Sequence, residues 1–219
     1  MMASGSETGR PTPKRVKIVG RALNNAVARA PWIAPLLKWP MRRYFDRLAR
    51  GWDERTDAGS VNHLAALAAG LMHVTPAPER ALDIGTGTGE AALLLAREFP
   101  QARVRGVDIS GEMIGRAKAK VGLDPEGRLA FKVADAATLP WDNASFDLVT
   151  QLNMPPYFAE IARVLRPGGT VVIASSWGEA TPFYTTDRTL ARGFARHGIS
   201  QHVAGGAAAG TYWVGRKPA

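Results

Sequence analysis

Residues 81–90 read Ala81-Leu82-Asp83-Ile84-Gly85-Thr86-Gly87-Thr88-Gly89-Glu90: a short apolar run, three glycines at alternate positions and the start of a helical pattern. That order predicts a buried strand, a tight turn and an amphipathic helix over Glu90 to Phe99. Glycines in the turn allow positive φ and let a ligand lie against the backbone. Nucleotide sites of many kinds use such a loop, so the loop by itself does not fix the ligand. Two details narrow it. The spacing is G-x-G-x-G rather than G-x-G-x-x-G, and Asp83 stands two positions before the first glycine. A carboxylate there repels a dinucleotide pyrophosphate on the helix N-terminus and favours a ligand carrying ammonium and sulfonium charges. S-adenosylmethionine (AdoMet) is such a ligand.

Downstream, short apolar runs alternate with helical patterns, the signature of βαβ units and a mostly parallel sheet. Strands are expected at Arg80 to Ile84, Val104 to Asp108, Leu129 to Ala134, Phe146 to Leu152 and Thr170 to Ser175. Helices are expected at Glu90 to Phe99, Glu112 to Val121, Tyr157 to Leu165 and Thr185 to His197. A final apolar pair, Ile199 to Ala204 and Thr211 to Gly215, reads as an antiparallel edge hairpin with Gly205 to Gly210 as its loop. The second strand ends in Val107-Asp108-Ile109-Ser110, about twenty residues past the loop, where a carboxylate is placed to accept from both ribose hydroxyls. The third ends in Val133-Ala134-Asp135-Ala136, where Asp135 is placed to accept from an adenine amino group. Each acid alone is equally well read as a helix cap or a solvated loop residue. Three at successive strand ends point to one ligand along the C-terminal edge of the sheet.

Upstream of Glu79 the chain has a different character. Of the net charge of +9, residues 1–55 supply +8, from twelve Lys/Arg against four Asp/Glu. That asymmetry points either to an anionic partner for residues 14–55, a membrane surface or a nucleic acid, or to a solvated basic face. Residues 1–13 are rich in Ser, Gly, Thr and Pro and read as a disordered tail. A basic helix is expected over Val16 to Arg29, and Pro35 and Pro40 are expected to break the apolar, aromatic stretch that follows Pro31. Met41 to Trp52 resumes a helical pattern, and Ser60 is placed to cap a helix to about His73 with Leu64, Leu67, Ala68 and Leu71 inward. The domain organisation is therefore a tail (1–13), a basic helical segment or cap (14–78) and a core (79–219). No run approaches the roughly 18 apolar residues of a membrane span. Nothing resembles a secretory signal, so a cytoplasmic protein, peripheral at most at a membrane, is expected. The chain has no cysteine, which removes disulfides, thiolate zinc sites and cysteine nucleophiles; no metal site is expected.

As an ordered set these residues resemble the class I AdoMet-dependent methyltransferases, in particular the group similar to ubiquinone/menaquinone C-methyltransferases. The resemblance rests on Leu82 to Gly89, Val107-Asp108-Ile109-Ser110 with Met113 and Ala117, Asp135 with Leu139-Pro140, Phe146-Asp147-Leu148-Val149, and Ile161 to Gly169. It covers roughly residues 79–176. It implies an α/β, Rossmann-like, mostly parallel seven-stranded sheet in the order 3-2-1-4-5-7-6, with helices on both faces and an N-terminal helical cap. It also implies that Gly85 and Gly87 line the methionine end of AdoMet, that Asp108 with Ile109 takes the ribose, and that Asp135 and Ala136 take the adenine, with Met113 on its face. Tyr44-Phe45-Asp46-Arg47-Leu48-Ala49 and Trp52-Asp53 resemble the family's entry helix, where Trp52 is either a lid contact to the cofactor or packing within the cap.

The sequence departs from that family after the fourth strand, where Leu152-Asn153-Met154-Pro155-Pro156-Tyr157 leads straight into a helix. Asn153 is read as an acceptor-side or cofactor contact. Methyl transfer from a sulfonium is an in-line displacement that needs positioning more than a covalent residue. A base is required only if the acceptor must lose a proton. His63, His73, His197 and His202, with Asp53 or Tyr184 behind them, are candidates, and none has a diagnostic neighbour. The preferred reading is a small-molecule acceptor, lipophilic or aromatic. The segment Asn153 to Tyr157 also resembles the Asn-Pro-Pro-Tyr motif of amine methyltransferases, with Met154 inserted, which would imply a nucleic-acid or ribosomal substrate. A non-catalytic AdoMet-binding protein is a third reading; Asp83 and the glycine spacing disfavour an NAD-dependent oxidoreductase.

Overall fold

The computed structural model describes residues 34–122, 124 and 126–219; the tail and the helix expected over Val16 to Arg29 lie outside them. Helices α1 (Ala34–Leu48), α2 (Trp52–Thr56) and α3 (Val61–Leu71) come first. The α/β part follows as β1 (Arg80–Ile84), α4 (Glu90–Glu98), β2 (Arg103–Asp108), α5 (Gly111–Lys120), β3 (Leu129–Val133) and β4 (Phe146–Leu152). It continues through α6 (Phe158–Val164), β5 (Leu165–Ser175), a 3₁₀ turn (Gly178–Ala180), α7 (Asp187–Ala195), β6 (Ser200–Ala207) and β7 (Gly210–Arg216). The strands form one sheet in the order β3-β2-β1-β4-β5-β7-β6. β1 to β5 pair in parallel, and β7 runs antiparallel to both β5 and β6. β1 pairs with β2 on one side and β4 on the other, so the chain reverses its winding there and a crevice opens at the C-terminal ends of those strands.

Alternation along the strands builds a core on each face. Ala81, Val104, Leu148, Val172 and Val214 point to one side and pack with Leu67 and Leu71 of α3, Leu95 of α4 and Ala117 of α5. Their neighbours Leu82, Val107, Val149, Val171 and Trp213 point to the other, against Ile161 of α6 and Phe194 of α7. The Trp213 and Phe194 rings stack at 5.0 Å. Ser60 caps α3 as expected, accepting from the His63 N–H at 3.0 Å. α3, which the sequence assigns to the basic segment, is thus a core helix.

Three expectations fail locally. α1 runs unbroken through Pro35 and Pro40. Pro35 lies in the first turn, where its missing N–H has no partner to lose, and Pro40 removes a single bond from a 15-residue helix. The pattern from Met41 to Trp52 is not one helix but two, divided at Gly51, whose φ of 64° is left-handed. The terminal hairpin is tighter than a six-residue loop: both strands extend into the Gly/Ala stretch and leave only Ala208 and Ala209 between them. Short side chains there fit a ladder as easily as a loop.

Candidate functional site

The buried strand β1 delivers Asp83 to the floor of the crevice and ends at Ile84, so Gly85, Gly87 and Gly89 turn the chain into α4 with φ of 73°, 53° and 94°. Asp83 is 1% exposed. Its Oδ1 accepts from the Thr150 hydroxyl of β4 at 2.9 Å, whereas its Oδ2 is buried with no hydrogen-bond partner. Burial pushes this carboxyl up to about 6; the nearby hydroxyls of Thr86 and Thr150 oppose the rise, and the negative charge of Asp108 adds to it. An ionised carboxylate in that position calls for a cation. Above Gly87 there is room: the nearest atom to a Cβ built there is Trp52 Nε1, 3.9 Å away. Above Gly85 the Met154 side chain closes the space.

Asp108, at the end of β2, joins the glycine loop to the start of α5: its Oδ2 accepts from the Gly87 N–H at 3.0 Å and its Oδ1 from the Ser110 N–H at 2.9 Å. Burial raises its pKa, and the backbone donors oppose that rise. Ile109 beside it is partly exposed. The structure adds two acids that sequence reasoning did not assign to this arrangement. Asp46 of α1 accepts from the Ser110 hydroxyl at 2.5 Å, while Ser110 Oγ caps α5 by accepting from the Met113 N–H at 3.1 Å. Asp53 of α2 accepts from the Thr88 hydroxyl at 2.5 Å and pairs with Lys120 at 2.6 Å, and Lys120 also reaches Glu90 at 2.7 Å. Burial opposes ionisation of Asp53, but the bonds from Lys120 and Thr88 outweigh it and hold the carboxyl below its ordinary range. α1 and α2 are therefore bolted to the glycine loop and to the β2–α5 turn, with Trp52 over Gly87 and against Phe45. No spacing in the sequence could pair Asp46 with Ser110 across 64 residues.

Past the end of β3, Asp135 Oδ1 accepts from the Ala137 N–H at 2.9 Å, which shapes the turn and leaves Ala136 partly exposed. Tyr157 lies close enough for the Asp135 charge to act on it: burial, aided by that charge, pushes the phenol up to about 12. Met113 is 1% exposed, so it forms closed wall rather than open surface.

Asn153 does stand at the tip of β4, in the left-handed region at φ 57°. Its amide, however, is committed to Ser176 at the end of β5: Nδ2 donates to Ser176 Oγ and Oδ1 accepts from Ser176 N–H, both at 2.8 Å. Ser176 Oγ in turn donates to the His63 carbonyl at 2.7 Å. These bonds form a splint joining β4, β5 and α3. Of the candidate bases, His63 is buried and lowered in pKa by that burial. His73 stacks on Tyr212 with His202 beside it, at the far end of α3. His197 follows α7 and is exposed, and Tyr184 is partly buried between β5 and α7. The structure gathers none of them around Asp83.

The seven-stranded sheet places the acid-lined glycine loop at its switch point. Residues 81–169 match the family model described as a methyltransferase domain. The demethylmenaquinone methyltransferase of Deinococcus radiodurans is 39% identical over 116 residues, covering 50% of this chain and 46% of that protein. The malonyl-[acyl-carrier protein] O-methyltransferase of Methylococcus capsulatus is 33% identical over 167 residues, covering 69% of this chain and 58% of that protein. Among solved structures, the phosphoethanolamine N-methyltransferase 2 of Haemonchus contortus in complex with AdoMet aligns with a TM-score of 0.62 at 19% identity, over 81% of this chain and 60% of that one. It shares the fold. The chain spans about half the length of the curated relatives it matches.

Proposed function

We propose that this protein is an AdoMet-dependent methyltransferase acting on a small lipophilic or aromatic acceptor. The observation that carries the reading is the buried, half-unpartnered Asp83 carboxylate beneath the glycine loop. A cationic ligand end supplies the charge that this acid lacks, and a dinucleotide pyrophosphate does the opposite. Gly87 and Trp52 then hold the methionine end of AdoMet, Asp108 and Ile109 the ribose, and Asp135 and Ala136 the adenine, with Met113 behind it; Gly85, covered by Met154, only turns the loop. When bound, AdoMet supplies an electrophilic methyl group on a sulfonium. The chain's own part is to position and to exclude water, through α1 and α2 closing on the loops by way of Asp46 and Asp53.

The relatives named above act, by their names, on a quinone and on an acyl-carrier thioester, so kinship leaves the acceptor open. The commitment of Asn153 to Ser176 weighs against an Asn-gripped amine and with it against a nucleic-acid substrate. Peripheral association with an anionic membrane through residues 14–55 would bring a lipophilic acceptor within reach. The test is conversion of AdoMet to S-adenosylhomocysteine (AdoHcy) across a panel of demethylated quinols, phenols and acyl thioesters. Turnover with one class supports the proposal; AdoMet binding without turnover on any of them would make the protein a cofactor-binding one instead.

A further inference from the structure

The two sides of α1 differ sharply in charge. Phe45 lies on its inward side, and Asp46, bonded to Ser110, borders the outward one. Its outward side carries Trp39, Arg43 and Arg47 at i, i+4 and i+8, one stripe of a helix, with Tyr44 on the flank and Arg50 in the following turn. Trp39 is 64% and Tyr44 50% exposed. The Arg43 guanidinium lies over the Trp39 ring at 4.6 Å. Arg42 is drawn to Asp46 at 3.8 Å, whereas Arg43, Arg47 and Arg50 show no ion pair among the described residues. Two large aromatics held in water beside three unneutralised guanidiniums are unusual for a solvated helix face. They are comfortable together at a lipid headgroup layer, where the rings sit at the apolar boundary and the guanidiniums meet phosphates.

We infer that this outer face of α1 docks on an anionic lipid bilayer surface. The proposal does not depend on the cofactor reading, because it is argued from the exposed Trp39, Tyr44 and arginines of α1 and not from Asp83. Among the described residues no helix is long and apolar enough to cross a membrane, so the attachment is peripheral. Since the same helix is bolted to Ser110, docking sets the candidate site close to the bilayer. A lipophilic acceptor would then enter from the membrane side.

The test uses the full chain with vesicles of pure phosphatidylcholine and vesicles containing phosphatidylserine, by sedimentation at physiological salt. Sedimentation with the anionic vesicles only, reduced roughly 100-fold in partition coefficient by the double reversal Arg43→Glu/Arg47→Glu and several-fold by Trp39→Ala, supports the proposal. Far-ultraviolet circular dichroism confirms that each variant is folded, and lipid-borne bromine quenching, compared between wild type and Trp39→Phe, places the ring at the headgroup. Three results would overturn it: no sedimentation; sedimentation untouched by the variants, which would credit the basic residues upstream; or binding of RNA that the same reversals abolish while vesicle binding remains.

Discussion

Replacing Asp83 by asparagine should make the free protein more stable and the bound one weaker. Asp83 ionises at about 6 in the folded chain against an ordinary 3.8, a difference worth about 3 kcal/mol against folding once both states are ionised. For an acid raised in this way the penalty is absent below the unfolded value. It grows as pH climbs from about 4 to about 6 and is complete above that. The substituted amide keeps an oxygen for the Thr150 hydroxyl but adds a buried N–H donor, which gives back about 1–3 kcal/mol. The net gain at pH 7.5 is then about 0–2 kcal/mol, or a Tm up to roughly 8 °C higher for a chain of this size. Thermal melts from pH 4 to 8 read this directly. The variant should melt above wild type at pH 7.5 and lose that advantage near pH 4, while AdoMet, losing the counter-charge for its ammonium, binds at least tenfold more weakly. A variant less stable than wild type at neutral pH, or a difference that ignores pH, would refute the reasoning.

Other outcomes follow from the same geometry. Asp53→Asn breaks the bridge to Lys120 and weakens the grip on Thr88; AdoHcy affinity by calorimetry should fall about five- to tenfold, with faster tryptic cleavage at Arg50 and Arg55, and unchanged affinity would show that α2 has no part in holding the ligand. Gly89→Ala should destabilise by about 1–3 kcal/mol in denaturant titration, because its Cβ would sit 2.9 Å from Phe131 and 3.0 Å from Ala117. Gly87→Ala meets nothing closer than Trp52 at 3.9 Å, so it should cost only about 1 kcal/mol of backbone strain and reveal itself chiefly as lost ligand binding. Asn153→Ala should lower stability by about 2 kcal/mol through its two lost bonds and leave AdoHcy affinity within twofold; a large affinity loss would restore Asn153 as a ligand contact.

The parts of the fold that sequence conveyed are those set by local chemistry. The glycine loop, the acids at the ends of β1 and β2, the turn acid Asp135 just past β3, and the Ser60 cap are all written within a few residues of one another, and the strand order came with the motifs that carry the family resemblance. What the sequence withheld depends on partners far along the chain. Asp46 and Asp53 read as ordinary helix acids until α1 and α2 are seen against Ser110, Thr88 and Lys120. Asn153 sits where a ligand contact belongs, and only the approach of Ser176 shows that its amide also ties β4 to the end of β5. Pro40 reads as a helix breaker because propensity counts the lost bond and not the 14 other residues of the helix around it.

The central claim is that the acid-lined glycine loop binds a cationic nucleoside rather than a dinucleotide. Isothermal titration of the wild-type chain with AdoMet, AdoHcy and NAD, alongside Asp108→Ala, tests it most directly. The account predicts heat from AdoMet and AdoHcy, none from NAD, and loss of the signal in the variant; binding of NAD alone, or of none of the three, would contradict it.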